Sequence, residues 1–158
     1  MPQIENPLLK ESVQKDWIDY NGHMTDAAYA IVFSMAVDQF MIELGINADF
    51  RDKHQYSIYT LETHLCYLAE ANEGQALQVK VQLLDYDTKR LHVFFTMENE
   101  KGDQLATSEQ MLMGIDMSSG RPAPFPNEVH TYVESLGTLH KSLVRPKQAG
   151  RTIGIPRK

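Results

Sequence analysis

The chain has 158 residues, 42% of them hydrophobic and 23% charged, with a formal net charge of −6. That is the composition of an ordinary globular protein, with length for one domain that buries about 70% of its unfolded surface. The single cysteine, Cys66, excludes an internal disulfide framework and a cysteine-based zinc site. Residues 141–158 hold six of the 15 basic residues and no acid, which leaves 9 basic against 21 acidic residues before them. An acidic body argues against nucleic-acid binding. The tail is read as a solvated terminus, or as a group of cations for ligand phosphates or an acidic neighbour. The opening MPQIENPLLKES shows no positive stretch followed by an apolar run, and the longest apolar run, Ala27 to Val37, is short of the roughly 20 residues a bilayer requires. The expectation is a cytoplasmic protein with no membrane partner.

Residues 5–19 carry short apolar pieces and predict a first strand leading into Asp16-Trp17-Ile18-Asp19-Tyr20-Asn21-Gly22-His23-Met24. Three carboxylates (Asp16, Asp19, Asp26) and a histidine thus surround one glycine turn where the chain enters an apolar helix over 27–44, with Thr25 or Asp26 as its cap and Gly45 as its left-handed stop. A helix start offers unpaired amides and about half a positive charge. A carboxylate facing such donors can attack, or activate water, while the amides hold a developing oxyanion, which points to acyl transfer. The helix is apolar around most of its circumference and should be enclosed on nearly all sides.

A polar link, Asn47 to Gln55, precedes a change of period from helical to two. Tyr59, Leu61, Leu65 and Tyr67 are expected to share one face of a strand, with Glu62 and His64 opposite. Leu77 to Leu83, Leu91 to Met97 and Leu105 to Asp116 complete a meander of four strands, joined by short antiparallel links at 85–88 and 99–103. Pro122, Pro124 and Pro126 end the sheet, and 127–140 predict a small closing helix. One sheet must then curl around the helix, and the leftover apolar surface and strand edges predict a homodimer, with assembly to tetramers left open.

The order Asp19-Tyr20-Asn21-Gly22-His23-Met24, then a helix containing Tyr29, resembles the hotdog-fold acyl-CoA thioesterases of the 4-hydroxybenzoyl-CoA thioesterase type. His64-Leu65-Cys66-Tyr67-Leu68-Ala69 and Ala106 to Asp116 are similar to that family's second and last strands, so the resemblance covers roughly residues 10–118. It implies an α+β hotdog fold, in which about five antiparallel strands wrap one buried helix and the sheets of two protomers join. It also implies an acyl-CoA substrate and no cofactor. Asp19 falls on the family's catalytic Asp, and Gly22 with the residues after it falls on the amides that polarise the thioester carbonyl. Two positions depart from the pattern: Thr25-Asp26 replaces an Asn pair, and Glu70 stands where a Pro often follows the strand. DWIDYNGHM with SIYTLETHLCYLAEA, TKRLHVFF and ATSEQML is most similar to a subgroup linked to carnitine breakdown and betainyl-CoA hydrolysis.

Each candidate has a plainer structural alternative. Asp19 is nucleophile or general base, or else an Asx residue capping its own turn. His23 orients water or bonds the thioester oxygen, or ties the turn to the sheet. Trp17, Tyr20 and Tyr29 with Glu62 offer aromatic faces and a carboxylate for a trimethylammonium acyl group, although Glu62 also suits a solvent-facing strand; Met24 is a substrate contact or simply core filler. Lys89, Arg90 and Arg121 are candidate anchors for CoA phosphates, or solvated surface cations. No metal is expected, because the spacing of Asp16, Asp19, His23 and Asp26 matches no recognised ligand loop. Two other functions fit the same frame: a hotdog acyl-thioester hydratase or dehydratase, and a non-catalytic acyl-CoA-binding module.

Overall fold

The computed structural model describes residues 4–158; Met1 to Gln3 of the expected domain lie outside the described residues. Strand β1 (Leu9–Ser12) and a 3-10 turn (Lys15–Trp17) precede helix α1 (Asp26–Glu43). A short helix α2 (Ala48–His54) follows, then strands β2 (Tyr56–Tyr67), β3 (Ala76–Tyr86), β4 (Arg90–Asn99), β5 (Gln104–Asp116) and the two-residue β6 (Arg121–Pro122). Helix α3 (Asn127–His140) closes the fold. The main sheet runs β1-β3-β4-β5-β2, all neighbours antiparallel, with β6 beside β5. This is the curled sheet and central helix of the hotdog architecture.

Four expectations about the strands and links change. The first strand shrinks to four residues, because the chain leaves β3 at Val13 and coils into the 3-10 turn. The polar link at 47–55 holds α2, started by the Asn47 side chain accepting from the Phe50 amide at 2.9 Å. The meander has three strands rather than four: the link of residues 68–75 is long enough to carry the chain across, so β2 pairs with β5 at the far edge and β1 takes the free side of β3. Finally, a bulge between Thr60 and Glu62 shifts the phase of β2. Tyr59 therefore sits beside Met113 on the outer face, while Leu65 and Tyr67 sit beside Ser108 and Ala106 on the face toward α1. Glu62 and His64 lie opposite Leu65 and Tyr67, as the alternation predicts.

Helix α1 buries Ala28, Tyr29, Val32, Phe33, Ala36, Val37, Phe40 and Met41 against the sheet. Phe33 and Phe40 meet Phe95 of β4 at 6.4 and 6.3 Å between ring centres. The helix is not enclosed all round within one chain: Ile31 and Ile42 stay about half exposed, because a single curled sheet covers one side only. Helix α3 packs on β3 and adds Val129, Tyr132, Val133 and Leu136 to the same core. A register shift between Leu83 and Asp85 frees the Leu83 amide, which donates to Nδ1 of buried His140 at 2.9 Å. Burial holds that imidazole below its usual pKa, in the neutral form that can accept. Among the described residues no single helix is long and apolar enough to cross a membrane.

Candidate active site

Residues 18–24 fold back on themselves before α1 begins. Ile18 and Met24 form an isolated antiparallel bridge, the Asp19 amide donates to the His23 carbonyl at 3.0 Å, and the Gly22 amide donates to the Asp19 carbonyl at 3.0 Å. Gly22 has φ +81°, a left-handed conformation that glycine reaches without steric cost. The turn is fastened to the fold at three points: the Met24 amide donates to Ala71 O, the Thr25 amide donates to Trp17 O, and the Met24 side chain is buried. Asp19 is half-buried, and its Oδ1 accepts from the Asn21 amide at 2.9 Å, leaving Oδ2 outside that bond.

Thr25 occupies the N-cap position of α1 without a capping side-chain bond; its hydroxyl donates to Asp26 Oδ1 at 3.3 Å. Asp26 Oδ1 in turn accepts from the Ala27 amide at 2.9 Å. Of the amides around the helix start, Gly22, Met24, Thr25 and Ala27 are therefore engaged. Among the described residues, those of His23 and Asp26 have no protein acceptor. These two, rather than Gly22, are the donors the turn leaves open to a ligand.

They flank a cleft of about 330 Å³ lined by His23, Met24, Asp26, Tyr29, Tyr67, Leu68, Ala69 and Glu70. His23 Nε2 lies 3.0 Å from Glu70 Oε2 at its rim. Tyr29 and Tyr67 stand edge to face, 5.2 Å between ring centres. The Tyr29 hydroxyl donates to Ala69 O at 3.2 Å, and the Tyr67 hydroxyl to Asp26 O at 3.1 Å. Burial pushes both phenols up, and the carboxylates of Glu70 (for Tyr29) and Asp26 (for Tyr67) add to it, so both are donors at neutral pH. The cleft thus presents two aromatic rings, two carboxylates and two open amides in one place.

The sequence-predicted residues divide. Met24, His23 and Tyr29 line the cleft, and Asp19 adjoins it through its bond to the His23 carbonyl. Trp17 packs half-buried behind the turn. Tyr20 is 97% exposed and points to solvent, and Glu62 lies on the outer face of β2 in a separate depression with His64, His92 and Glu109. One chain therefore does not gather Trp17, Tyr20, Tyr29 and Glu62 into a cage. Lys89, Arg90 and Arg121 group at the other end of the sheet, where Arg90 is held by Asp87. Seven residues of β5 separate Ala106, near the cleft, from Met113, beside Arg90, or about 23 Å. Asp26, Tyr67, Leu68, Ala69 and Glu70 are the cleft residues missed as ligand contacts. Tyr67 carried an aromatic signal, but its place depended on the bulge five to seven residues earlier. Among the described residues no group of three or more His, Cys, Asp or Glu side chains is placed to hold a metal.

Known proteins resemble this chain over most of its length. The sequence profile of the Thioesterase-like superfamily matches residues 13–132. A betainyl-CoA thioesterase of Pseudomonas aeruginosa is 43% identical over 96% of this chain and 93% of its own. An L-carnitine dehydrogenase/betainyl-CoA thioesterase of Rhizobium meliloti is 37% identical over 95% of this chain, which spans 30% of that longer protein. Among solved structures, a Staphylococcus aureus protein in complex with CoA superposes with a TM-score of 0.89 at 36% identity, covering 94% of each chain.

Proposed function

The chain belongs to the thioesterase-like superfamily, and from that premise we propose that it hydrolyses betainyl-CoA to glycine betaine and free CoA. In this reading the thioester carbonyl enters the cleft at the start of α1 and its oxygen meets the open amides of His23 and Asp26. The positive end of the helix adds to them, stabilising charge as it develops on that oxygen. Asp19 adds to the same carbonyl as a nucleophile, giving a mixed anhydride that water then hydrolyses, or it deprotonates a water that attacks directly; in either course the C–S bond breaks, CoA leaves as the thiol after protonation, and glycine betaine is released with the Asp19 carboxylate restored. No cofactor takes part, and the active unit is a homodimer.

The observation that carries the substrate assignment is the pairing of Tyr29 and Tyr67 with the carboxylates of Asp26 and Glu70 around one cleft. A trimethylammonium group is a diffuse cation without hydrogen-bond donors. It is held by aromatic faces and nearby negative charge. Dimer formation is supported by β2, a twelve-residue edge strand with exposed Tyr59, Leu61 and Tyr67, by Leu68 directly after it, and by exposed Ile31 and Ile42 of α1.

The test compares betainyl-CoA with 3,3-dimethylbutyryl-CoA, in which a neutral carbon replaces the quaternary nitrogen at equal shape. Thiol release should favour the cation by about three- to thirtyfold in kcat/KM, the range of a cation–π contact. Equal or faster turnover of the neutral isostere overturns the assignment. Binding of betainyl-CoA without thiol release overturns the hydrolase reading itself.

A further inference from the structure

The C-terminal segment after α3 crosses the outer face of the sheet in one direction. Val144 O accepts from Gln82 Nε2 on β3 at 3.3 Å. The Gly150 amide then donates to Glu109 Oε1 on β5 at 2.8 Å, while the other carboxylate oxygen of Glu109 is 2.6 Å from His92 Nε2 on β4. Arg151 comes next, in a depression shared with Glu62 and His64 on β2. The segment has thus travelled from β3 to the edge strand of the sheet. Glu109 is a firm anchor for it. Burial raises that carboxyl, but the Gly150 amide, His92 and Arg145 together outweigh the burial and hold it below the usual carboxylate range.

Beyond this anchor, residues 151–158 are all exposed, with Ile153 at 85% and Ile155 at 74%. Two isoleucines at a spacing of two share one side of an extended chain. They are flanked by Arg151, Arg157 and Lys158, with no acid. Within one chain both isoleucines stay exposed and cover no apolar surface, and the segment leaves the sheet beside its edge strand.

We propose that residues 152–158 of each protomer lie on the outer face of the partner's sheet, so that the two tails are exchanged across the joined β2 edges. This rests on the dimer proposed above. Identical strands paired antiparallel along their full length place the two-fold axis beside their middle, which for Tyr56–Tyr67 falls at Leu61 and Glu62. The tail therefore leaves its own chain next to the dyad. In that register His64 stands across from Tyr59 of the partner subunit, about 5 Å away. Seven extended residues reach about 23 Å, or four to five strand spacings. The surface within that reach suits the tail: half-exposed Tyr59, half-buried Met111 and Met113, and the carboxylate of Glu62 form one outer-face patch. The isoleucines cover the apolar part, and Arg157 and Lys158 meet the net negative body.

The experiment uses the full chain with p-benzoylphenylalanine in place of Ile155, and separately a chain ending at Gly150, which keeps the Glu109 anchor. Irradiation should give a covalent species of twice the chain mass, with the cross-link in residues 59–64 or 109–113 of the second chain. By sedimentation equilibrium, the shortened chain should dissociate at least about tenfold more readily, since four isoleucines per dimer lose their cover. A dimer whose cross-links stay within one chain, or whose dissociation is unchanged by the truncation, overturns the tail exchange and leaves the joined sheets standing. A full chain that is monomeric at every concentration overturns both.

Discussion

Asp19→Asn separates the chemistry of Asp19 from its structural work. The carboxylate has one protein bond, Oδ1 accepting from the Asn21 amide at 2.9 Å, and an asparagine carbonyl can accept the same hydrogen in the same place. What is lost is the charge. A hydrogen bond to a charged group contributes about 1.5–3 kcal/mol and a neutral one about 0.5–1.5, so the turn should weaken by about 1 kcal/mol. For a chain of this length that lowers Tm by about 2–4 °C. A nucleophile or base removed from the reacting carbonyl costs more: about 10²- to 10⁴-fold in rate, or about 3–5 kcal/mol in the barrier. The two effects are distinct enough to be read together, by thiol-release kinetics on betainyl-CoA and a thermal melt of the same sample. The reasoning requires a folded protein with a small Tm loss and kcat reduced at least a hundredfold. A folded variant that keeps turnover within tenfold of the parent would refute it and leave Asp19 as a turn cap. Asp19→Ala, which also removes the acceptor for Asn21, should lose comparable activity and a further margin of stability.

Gly22→Ala meets no atom within 4 Å, so its cost is the left-handed backbone alone, about 1–2 kcal/mol; calorimetry should show a Tm loss of several degrees, with kcat falling as the Asp19 turn shifts. At Gly114 the added methyl group would collide with the Tyr56 hydroxyl and stand 2.8 Å from the Ala123 carbonyl oxygen, so Gly114→Ala should destabilise by about 1–3 kcal/mol or more in urea unfolding. Tyr67→Phe removes the bond to Asp26 O but keeps the ring; it should leave the preference for betainyl-CoA over its neutral isostere intact, whereas Tyr67→Leu should reduce it in a side-by-side kcat/KM measurement. Glu109 has a folded carboxyl pKa below its unfolded value, so its stabilising effect is present above the ordinary carboxylate pKa and disappears as pH falls through the folded one. Exchange of the Gly150 amide, corrected for intrinsic rate, should therefore speed up as pH falls below the ordinary carboxylate range in the parent, and Glu109→Gln should flatten that dependence.

The helix and the central strands were legible because their signals are local. An apolar run bounded by Asp26 and Gly45 can only be a core helix, and the alternation from Leu77 to Met97 with one four-residue link makes adjacent antiparallel strands. Asp19 and Gly22 could be marked because a tight turn fixes its own geometry over six residues. Local pattern could not tell that β2 crosses to β5, since an eight-residue link permits either neighbour and the choice depends on which edge β1 takes. The bulge at Thr60–Glu62 is likewise decided by the partner strand, and with it whether Tyr59 or Tyr67 faces the helix. The cleft depends on both decisions: Tyr67 and Glu70 come to His23 and Asp26 only because β2 ends beside the helix start, 41 residues along the chain from Asp26 to Tyr67. Sequence thus determined which residues could do the chemistry, because residue type and turn geometry are properties of short segments. Which side chains share a surface was settled by strand order and register, which exist only once distant segments compete for the same hydrogen bonds.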